Sequence, residues 1–417
     1  MKMVPPRKTC KLRMLLATTR NISQPTGEWR LISERALGMH AHSIVTDVLY
    51  VHNNRRRGFN SALHAWADEF SSVSYRGAIG MAAALLKALG RIRKWLRRNP
   101  DGYVIVSGLQ LYPLTTVLPR SRVVIDNHGT LKEWTEIGHP AARQRLQRYL
   151  YPVAAWLDRI ALEHSKGALV TSMAQRDHVL SNGAAAAWLV PCVLSAGTAK
   201  AYSAAGRQAS RDLFGIRGNT TVMVYCGGFS AWQCVRDAVH FFRLIRPYLN
   251  TKALLVMITP SVASAVQAAE EGGVHDAIAM TLPPAEVPGA LMACDVGLML
   301  RETTLTNHFA FPNKFTEYLA AGLYILSSPG LTDPASLIRQ HRLGALISPE
   351  ELRQGIAPER LASIAEQLYR SGGRERRWRQ IRPLLDFTLS MESRTAGFVY
   401  ALNGRREVQV RMERAIR

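Results

Sequence analysis

Short β-branched runs alternate with helix-forming stretches along almost the whole chain. In the first half, candidate strands lie at residues 11–18, 44–51, 104–108, 122–126, 168–171 and 188–191, with helical stretches at 29–38 and 146–165. In the second half, candidate strands lie at residues 221–226, 253–258, 295–300 and 324–327, with a helical stretch at 236–248. Strands that are separated by helices pair in parallel, and helices then cover both faces of the sheet. The alternation therefore predicts an α/β fold.

The length of the chain favours two domains, because 417 residues exceed what one hydrophobic core usually holds. After Pro191 the composition becomes rich in Ala, Ser and Gly up to Gly206, and the strand and helix pattern then restarts. We predict an N-terminal domain over residues 1–195 and a C-terminal domain over residues 196–375. Residues 376–417 are predicted to form a C-terminal helical segment.

Composition is that of an ordinary globular protein, with 47% hydrophobic residues. The five cysteines are scattered without a Cys-x-x-Cys pair, which indicates neither a disulfide framework nor a zinc knuckle. The first apolar stretch, residues 14–17, is too short for the core of a signal peptide, and no run approaches the roughly 18 apolar residues of a membrane span. These features predict a cytoplasmic protein.

Positive charge is concentrated in the first quarter of the chain. The net charge is +22, and residues 1–100 contain 18 Lys and Arg against five Asp and Glu. A small anionic ligand would not need this distribution, whereas an acidic membrane surface or nucleic acid would. No RNP-like aromatic motif, zinc-finger spacing or KH loop is present, so we expect an anionic membrane as the partner and no nucleic acid.

Residues 85–98 have the clearest amphipathic pattern. Leu85, Leu89, Ile92 and Leu96 recur at helical spacing, Trp95 flanks them, and six Lys or Arg occupy most of the other positions. This pattern fits a helix that lies on anionic lipid. It fits equally a helix that packs on its own sheet and turns a basic face to water.

The segment 312–322 joins a helix start to cationic and acidic side chains. Pro312 favours extended geometry before it and a helix from Asn313, a good capping residue. The first amides of such a helix form an anion site, and Lys314 shares a helix face with Glu317. These groups fit a nucleotide diphosphate, with Lys314 on the phosphates and Glu317 on the ribose hydroxyls. The same spacing also fits a surface helix with an exposed Lys/Glu pair.

The pattern Pro-x-Lys-x-x-Glu-Tyr-Leu-Ala-x-Gly-x-x-Ile, from Pro312 to Ile325, resembles the signature of the retaining glycosyltransferases of family 4. This resemblance implies the GT-B architecture: two Rossmann-like parallel-sheet domains facing each other across a cleft, with C-terminal helices that pack back on the first domain. It also implies that Glu317 holds the donor ribose. The chain departs from the pattern at Phe309, where many members have a second Glu, and at Tyr324, where they usually have Pro.

Gly227 and Gly228 follow the candidate strand 221–226 and precede a helix. Such glycines let backbone amides approach a phosphate, although tight turns also need Gly for purely steric reasons. In family 4 the corresponding loop holds the donor diphosphate and carries an Arg and a Lys, but this chain has Gly228 and, approximately, Gln233 at those positions. The cations that remain to neutralise the diphosphate are Lys314 and, behind it, Arg236 and Arg301.

Polar residues also follow the strand 122–126 of the first domain, where binding groups of parallel sheets gather. The resemblance places His128 near the reacting sugar, although a His at a strand end is often only a turn residue. Glu133 and Glu136 are candidates to orient an acceptor hydroxyl. Gly27, in the loop 24–28, resembles a residue that family members place beside the donor.

Together these observations predict a hexosyltransferase-type glycosyltransferase that moves a sugar from a nucleotide-diphosphate sugar to a glycan or lipid-linked acceptor. We expect retention, no cofactor and no metal, since no Asp-x-Asp occurs. We also expect a role in cell-surface polysaccharide biosynthesis, at the inner face of the plasma membrane. The predicted catalytic residues are His128, Lys314 and Glu317, and the predicted donor-binding residues are Gly27, Gly227, Gly228, Arg236, Asn313, Lys314 and Glu317. The alternatives are a sugar-nucleotide epimerase of the same fold and a basic nucleic-acid-binding protein.

Overall fold

The computed structural model describes residues 12–22, 27–53, 67–136, 141–203, 205–369 and 373–402, which form two domains built on parallel sheets. The first sheet has seven strands in the order β3-β2-β1-β4-β5-β6-β7. Its strands are β1 (Arg13–Thr18), β2 (Val45–Asn53), β3 (Ala67–Tyr75), β4 (Tyr103–Ser107), β5 (Val123–Asp126), β6 (Gly167–Val170) and β7 (Ala187–Leu189). The strand order reverses between β1 and β4, and ligands of such sheets bind beyond the strand ends at that reversal.

The second sheet repeats this design with six parallel strands in the order β10-β9-β8-β11-β12-β13. Its strands are β8 (Thr221–Cys226), β9 (Ala253–Ile258), β10 (Ala277–Met280), β11 (Val296–Met299), β12 (Tyr324–Ser327) and β13 (Gly344–Leu346). Here the order reverses between β8 and β11. The structure thus confirms the predicted pair of Rossmann-like parallel-sheet domains, whereas the domain boundaries at residues 195 and 375 stay predictions.

Helices pack on both faces of each sheet. In the first domain they are α1 (Gly27–Ala41), α2 (Gly77–Arg98), α3 (Glu133–Glu136), α4 (Ala141–Glu163) and α5 (Met173–Ser181), with a 3-10 helix at Leu109–Val117. The connection contains α6 (Ala196–Ala199) and α7 (Gly206–Leu213). The helices that follow are α8 (Val235–Ile245), α9 (Val262–Glu271), α10 (Val287–Ala293), α11 (Leu305–His308), α12 (Asn313–Ala320), α13 (Thr332–His341), α14 (Pro349–Gln354), α15 (Pro358–Tyr369), α16 (Gly373–Pro383) and α17 (Met391–Leu402).

The alternation of side chains along β1 shows why the sheet needs helices on both faces. Leu16 joins the core cluster that includes Ile32 of α1, whereas Leu15 joins the cluster that includes Ile92 of α2. Successive side chains of a strand point to opposite faces, and both faces of this strand are buried. A nearly continuous apolar run is therefore what a central parallel strand requires.

The C-terminal helices return to the first domain, as the resemblance implied. The amide of Met391, at the start of α17, donates a hydrogen bond to the carbonyl oxygen of Leu194 at 2.9 Å. The ring of Phe398 meets the ring of Trp188 edge-on at 5.1 Å, and the Tyr103 hydroxyl donates to the Leu402 carbonyl oxygen at 3.3 Å. Residues 403–417 of the predicted helical segment lie outside the described residues.

Helix α2 resolves the two interpretations of residues 85–98. Ile92, Trp95 and Leu96 are buried against the first sheet, and the Trp95 Nε1 donates to the Asp47 carboxylate at 2.7 Å. The apolar stripe is therefore occupied by the protein's own core and is not available to lipid. Among the described residues, no helix combines the length and the hydropathy needed to cross a bilayer.

Candidate functional site

Helix α12 is buried between the sheet and the first domain. Lys314 and Glu317 keep only 7% and 5% of their surface exposed, and Phe315, Tyr318 and Leu319 are fully buried. The alternative of a surface helix with an exposed Lys/Glu pair is therefore wrong. A buried Lys and Glu are costly unless they have partners, so their contacts indicate what the site can bind.

Helix α12 begins and ends where the sequence predicted, but it is not capped as predicted. Pro312 is extended, with φ −67° and ψ 138°, and the helix begins at Asn313. Asn313 does not cap the helix, however, because its side-chain Nδ2 donates to the carbonyl oxygen of Gly27 in the first domain at 3.2 Å. At the other end, Gly322 has φ 70°, and this left-handed conformation ends the helix as predicted.

Lys314 lies against the turn that follows β8. Its Nζ donates to the Gln233 side-chain oxygen at 2.8 Å and lies 4.4 Å from the centre of the Tyr225 ring. Gly227 has φ 145°, and a Cβ at that position would lie 3.1 Å from the Lys314 Nζ. The turn therefore needs glycine both for its backbone geometry and for the approach of the ammonium group. Burial, with a smaller effect of Arg301, lowers the pKa of Lys314 to about 7.

Arg301 and Arg30 bring two more cations to this region. Arg301 follows β11, so it lies at the strand-order reversal of the second sheet, and burial lowers the pKa of its guanidinium. Arg30, on α1 of the first domain, forms an ion pair with Glu317. Burial opposes the charge of Arg30, but Glu317, Tyr202 and Glu34 together outweigh burial, and the pKa of Arg30 is raised.

We call Arg30, Arg301 and Lys314 the cation cluster. Within the described part of the chain, Glu317 is the one carboxylate in ion-pair contact with any member of the cluster. The Arg301 Nε also has no hydrogen-bond partner there. A buried group of three cations with one carboxylate favours an anionic ligand, because unpaired buried charge is costly.

Of the other predicted donor-binding residues, Gly228 lies beside Lys314, whereas Arg236 lies away from it. Gly228 belongs to the turn beside Lys314, and its carbonyl oxygen accepts a hydrogen bond from the Tyr225 hydroxyl. Arg236 instead lies on the surface of α8, where it pairs with Glu271 at 2.8 Å. The structure therefore does not bring Arg236 to the cation cluster. Of the loop that contains Gly27, residues 24–26 lie outside the described residues.

His128 follows the carboxyl end of β5 in the first sheet, and its side chain is buried. Its Nε2 lies 3.5 Å from the Ser107 hydroxyl and 3.9 Å from the Asp126 carboxylate. Burial lowers the pKa of His128 to about 4, although Asp126 opposes this effect. The imidazole is therefore neutral at neutral pH.

Asp126 and Asn127 support this strand end and are themselves engaged in the fold. Asp126 forms a buried ion pair with Arg35 of α1. Burial would raise the pKa of this carboxyl group, but Arg35, His128, Ser107 and Arg20 together outweigh burial and lower it. The Asn127 side-chain oxygen accepts a hydrogen bond from the Gln175 amide at 3.0 Å, and the same amide donates to the Gly129 carbonyl oxygen at 3.0 Å. Helix α5 thus holds the loop that carries His128.

A cavity of about 750 Å³ opens at the strand-order reversal of the first sheet. Its walls come from the ends of β1, β4 and β5, from the 3-10 helix and from the inner face of α4. The polar residues of its wall are Thr19, Arg20, Asn21, Glu28, Gln110, Tyr112, Asn127, Thr130, Lys132, Glu133, Gln147, Tyr151, Asp158, Gln175, His178 and Asn182. Phe309 of the second domain also lines it, and its ring lies 5.0 Å from that of His178. Phe309 stands where many family 4 members have a second Glu.

Two carboxylates in the cavity wall are poorly hydrated. Burial raises the pKa of Asp158 to about 6. Burial also raises the pKa of Glu133, and Arg20 opposes this rise. Glu133 was a sequence candidate, whereas sequence reasoning missed Asp158. Its one signal was a carboxylate after an apolar run of α4, which by itself does not distinguish a cavity residue from a surface residue.

Glu136, the other acidic candidate, joins the two domains. Its carboxylate accepts hydrogen bonds from the Leu305 amide at 3.1 Å, the Thr306 amide at 2.8 Å and the Thr306 hydroxyl at 2.7 Å. Further contacts between the domains run from the Thr316 hydroxyl to the Cys192 carbonyl oxygen at 3.0 Å, and from the Met173 amide to the Asp333 carboxylate at 2.8 Å. These hydrogen bonds hold the two domains against each other in the ligand-free structure.

One group in the described part of the chain has side chains with metal-ligand chemistry close together. Its members are Cys234, Asp237 and Glu302, whose ligand atoms lie within 4.8 Å of one another. Burial raises the pKa of the Cys234 thiol to about 12, and Glu302 is paired with Arg353 at 3.1 Å. The group therefore favours a neutral thiol over the thiolate that a metal ion would need.

The fold has structural relatives, although no family model and no curated protein sequence matches the chain. Sucrose-phosphate synthase from Thermosynechococcus elongatus superimposes with a TM-score of 0.67 at 12% identity, over 94% of this chain and 99% of that one. The chain has the GT-B fold. Anabaena HepE in complex with UDP and glucose gives a TM-score of 0.65 at 12% identity, over 94% and 100% of the two chains. WaaG, a glycosyltransferase involved in lipopolysaccharide biosynthesis, gives 0.60 at 14% identity, over 94% and 100%.

These similarities confirm the predicted GT-B architecture, including the two facing sheets and the returning C-terminal helices. At 12 to 14% identity, they establish the fold and not the substrates.

Proposed function

We propose that this protein is a metal-independent, retaining glycosyltransferase of the family 4 type, which moves a sugar from a nucleotide-diphosphate sugar to a glycan or lipid-linked acceptor. The cation cluster beside Glu317 is the observation that carries the proposal. HepE has been solved with UDP and with UDP-glucose, which supports a UDP-sugar as the first donor to test. A role in cell-surface polysaccharide synthesis, on the cytoplasmic side of the plasma membrane, is part of this proposal.

The donor diphosphate fits the charge of the cluster. Lys314 and Arg301 lie at the strand-order reversal of the second sheet, where nucleotides bind in folds of this kind. They replace the Arg and Lys that the resemblance leads one to expect at Gly228 and Gln233. Gln233 then has a different task, because its side-chain oxygen holds the Lys314 ammonium. Both cations would stabilise negative charge on the departing diphosphate.

Glu317 would accept hydrogen bonds from the donor ribose. In the ligand-free structure this carboxylate is occupied by Arg30. Ribose binding therefore requires Arg30 to release Glu317, and the freed guanidinium remains close enough to add charge near the phosphates. The first domain would in this way contribute directly to the donor site.

The acceptor would enter the cavity of the first domain. Its volume of about 750 Å³ is in the range of ordinary ligand pockets, and its wall offers amides, carboxylates and aromatic rings that suit a polyhydroxylated molecule. In the transfer step the acceptor oxygen replaces the diphosphate oxygen on the anomeric carbon, and the acceptor proton leaves with the diphosphate. His128, which is neutral, would position the transferred sugar by hydrogen bonds.

Thermal-shift measurements with UDP-, GDP- and ADP-sugars test the donor site. We expect a UDP-sugar to raise the Tm of the wild type, because a ligand that binds only the folded state stabilises it. Glu317→Ala should abolish the shift, whereas Arg236→Ala should keep it, since Arg236 pairs with Glu271 on the surface. If no nucleotide sugar raises the Tm of the wild type, the proposal is wrong.

A sugar-nucleotide epimerase of the same fold is the second candidate. The raised pKa values of Asp158 and Glu133 favour it, because an epimerase needs carboxyl groups that act as acid and base near neutral pH. Incubation of the stabilising UDP-sugar without acceptor distinguishes the two. A new epimer of the UDP-sugar would identify an epimerase, and an unchanged UDP-sugar that is consumed only when an acceptor is added would identify a transferase.

A further inference from the structure

Helix α4 exposes a stripe of large apolar side chains on its outer face. We call this set the α4 stripe; its members are Leu146, Tyr149, Leu150, Val153 and Trp156, and 41% to 82% of each residue is exposed. Their spacing of three or four residues places them on one side of the helix. Single exposed apolar residues are normal, but a continuous stripe of five marks a binding surface.

The α4 stripe is not the face by which the helix packs on its own domain. Ala154, Ala161 and Leu162 are buried in the fold, and Tyr151 and Asp158 belong to the cavity wall. The helix therefore has two separate apolar surfaces. One of them is used by the domain, and the other is turned to solvent.

The charges beside the α4 stripe are basic. Arg145 and Arg148 are exposed next to it. Of the two acids of the helix, Asp158 lines the cavity, and Glu163 pairs with Arg159 at 2.9 Å, so this pair adds no net charge to the flank. An apolar face with Trp and Tyr, flanked by arginines, is the composition of a helix that lies in the interface of an anionic bilayer.

We propose that the α4 stripe docks this protein on an anionic lipid bilayer. The basic flank meets the anionic headgroups, while the apolar side chains enter the boundary of the acyl chains. A protein partner would have to match five apolar side chains with an acidic rim, whereas anionic lipid supplies both features at once. Membrane contact was one of the two interpretations of residues 85–98, but the apolar stripe of that helix is buried, and we assign the contact to α4 instead.

Docking through α4 also suggests how the acceptor reaches the cavity, a point that rests on the proposed function. Gln147, Tyr151 and Asp158, on the inner face of the same helix, line the cavity. The bilayer would therefore lie one helix diameter, roughly 10 Å, from the acceptor site. A lipid-linked acceptor would keep its lipid in the bilayer while its sugar occupies the cavity.

Vesicle sedimentation tests the docking surface without any nucleotide. We expect the wild type to bind vesicles of phosphatidylglycerol and phosphatidylcholine and to remain free with phosphatidylcholine alone. The variant Leu146→Ser/Tyr149→Ser/Trp156→Ser should lose binding by about tenfold or more, because its apolar contacts with lipid are removed. A matched control is Leu213→Ser/Val266→Ser/Ile278→Ser, which changes three exposed apolar residues of the rest of the chain and should bind like the wild type.

A second variant tests whether vesicle binding depends on α4 or only on the positive charge of the first domain. Lys94→Glu/Arg97→Glu/Arg98→Glu changes the basic face of α2, and we expect it to weaken binding less than the α4 variant. Failure of the wild type to bind anionic vesicles would overturn the proposal. So would an α4 variant that binds as well as the wild type, or a wild type that forms a dimer which the α4 variant loses. A UDP-sugar should raise the Tm of the α4 variant as much as that of the wild type. If it raises neither Tm, the proposed function is wrong, whereas the docking proposal still depends only on vesicle binding.

Discussion

Lys314 and Arg301 are buried cations that have no carboxylate in ion-pair contact among the described residues. Such groups are expensive to keep in the ligand-free protein, and the low pKa of Lys314 reflects that cost. A diphosphate would restore the missing negative charge. Each of the two residues should therefore contribute more to ligand binding than to the stability of the free protein.

The affinity for a UDP-sugar should fall as the pH rises above about 7. The free protein has Lys314 with a pKa of about 7, so the ammonium is largely present at pH 6 and largely absent at pH 8, whereas the phosphates of a UDP-sugar stay ionised. Binding at pH 8 should then take up a proton, which calorimetry in two buffers of different ionisation enthalpy measures. Lys314→Met should weaken binding at pH 6 by about 2 kcal/mol and should remove the pH dependence.

The ion pair between Arg30 and Glu317 should contribute to stability across the cleft. Arg30→Gln and Glu317→Gln should each lower the Tm, because each leaves a buried charge without its partner. The double variant should be more stable than the sum of the two losses predicts, with a coupling energy of about 1 to 3 kcal/mol. Strictly additive losses of Tm would mean that the two side chains do not interact in solution.

Ionised Asp158 should lower the stability of the free protein and should contribute to acceptor binding. Its pKa of about 6 in the folded protein is above that of an unfolded Asp, so ionisation costs stability as the pH rises from about 4 to about 6. Asp158→Asn should therefore raise the free energy of unfolding at pH 8, by about 2 to 3 kcal/mol, and change it little at pH 4. Transfer to acceptor should become slower in the same variant. A variant that is not stabilised at pH 8 would show that Asp158 is hydrated.

Among the secondary-structure elements, the turn between β8 and α8 depends on α12. Gly227 has φ 145°, which an L residue rarely adopts, and a Cβ at this position would lie 3.1 Å from the Lys314 Nζ, which would have to shift. Lys314 and the turn residue Gln233 are 81 residues apart in the chain, and the second sheet brings them together. Neither element forms the proposed donor site without the other.

Gly227→Ala should displace Lys314 and destabilise the turn by about 1 to 3 kcal/mol. We expect a lower Tm and the loss of the UDP-sugar thermal shift. Gly228→Ala is a matched control, because a Cβ there would lie 4.0 Å from its nearest neighbour, the Ser230 hydroxyl. Equal behaviour of the two variants would contradict the role given to Gly227.

In the molecule as a whole, hydrogen bonds and an ion pair hold the two domains together without ligand. Glu136 contributes several of them, because its carboxylate accepts three hydrogen bonds from Leu305 and Thr306 of the second domain. Under the proposed function, contact between the domains would exclude water from the transfer step.

Glu136→Ala should shift the protein toward an open cleft. Small-angle X-ray scattering should give a larger radius of gyration for this variant than for the wild type, and a UDP-sugar should reduce the difference. Glu270→Ala, which changes an exposed acid of α9, serves as the control. An unchanged radius of gyration would indicate that the remaining contacts are sufficient to keep the cleft closed.

The pattern of residues along the chain was enough to predict the fold class and helix α12. Central parallel strands are buried on both faces, so β1, β8 and β12 are apolar runs that can be recognised without a structure. Three strands, β3, β10 and β13, were missed; they lie at sheet edges and are only partly buried, so their apolar pattern is weaker. The fourth edge strand, β7, is fully buried and was predicted.

Which charges meet, and which faces stay exposed, depended instead on how the elements pack. Arg30 and Glu317 are 287 residues apart, and Arg236 has the same charge as Arg30 but pairs on the surface. Likewise, the amphipathic helix α2 buries its stripe, whereas α4 exposes one. Local spacing specifies that a helix has an apolar face, but distant elements decide whether that face is covered, because contact depends on the path of the whole chain.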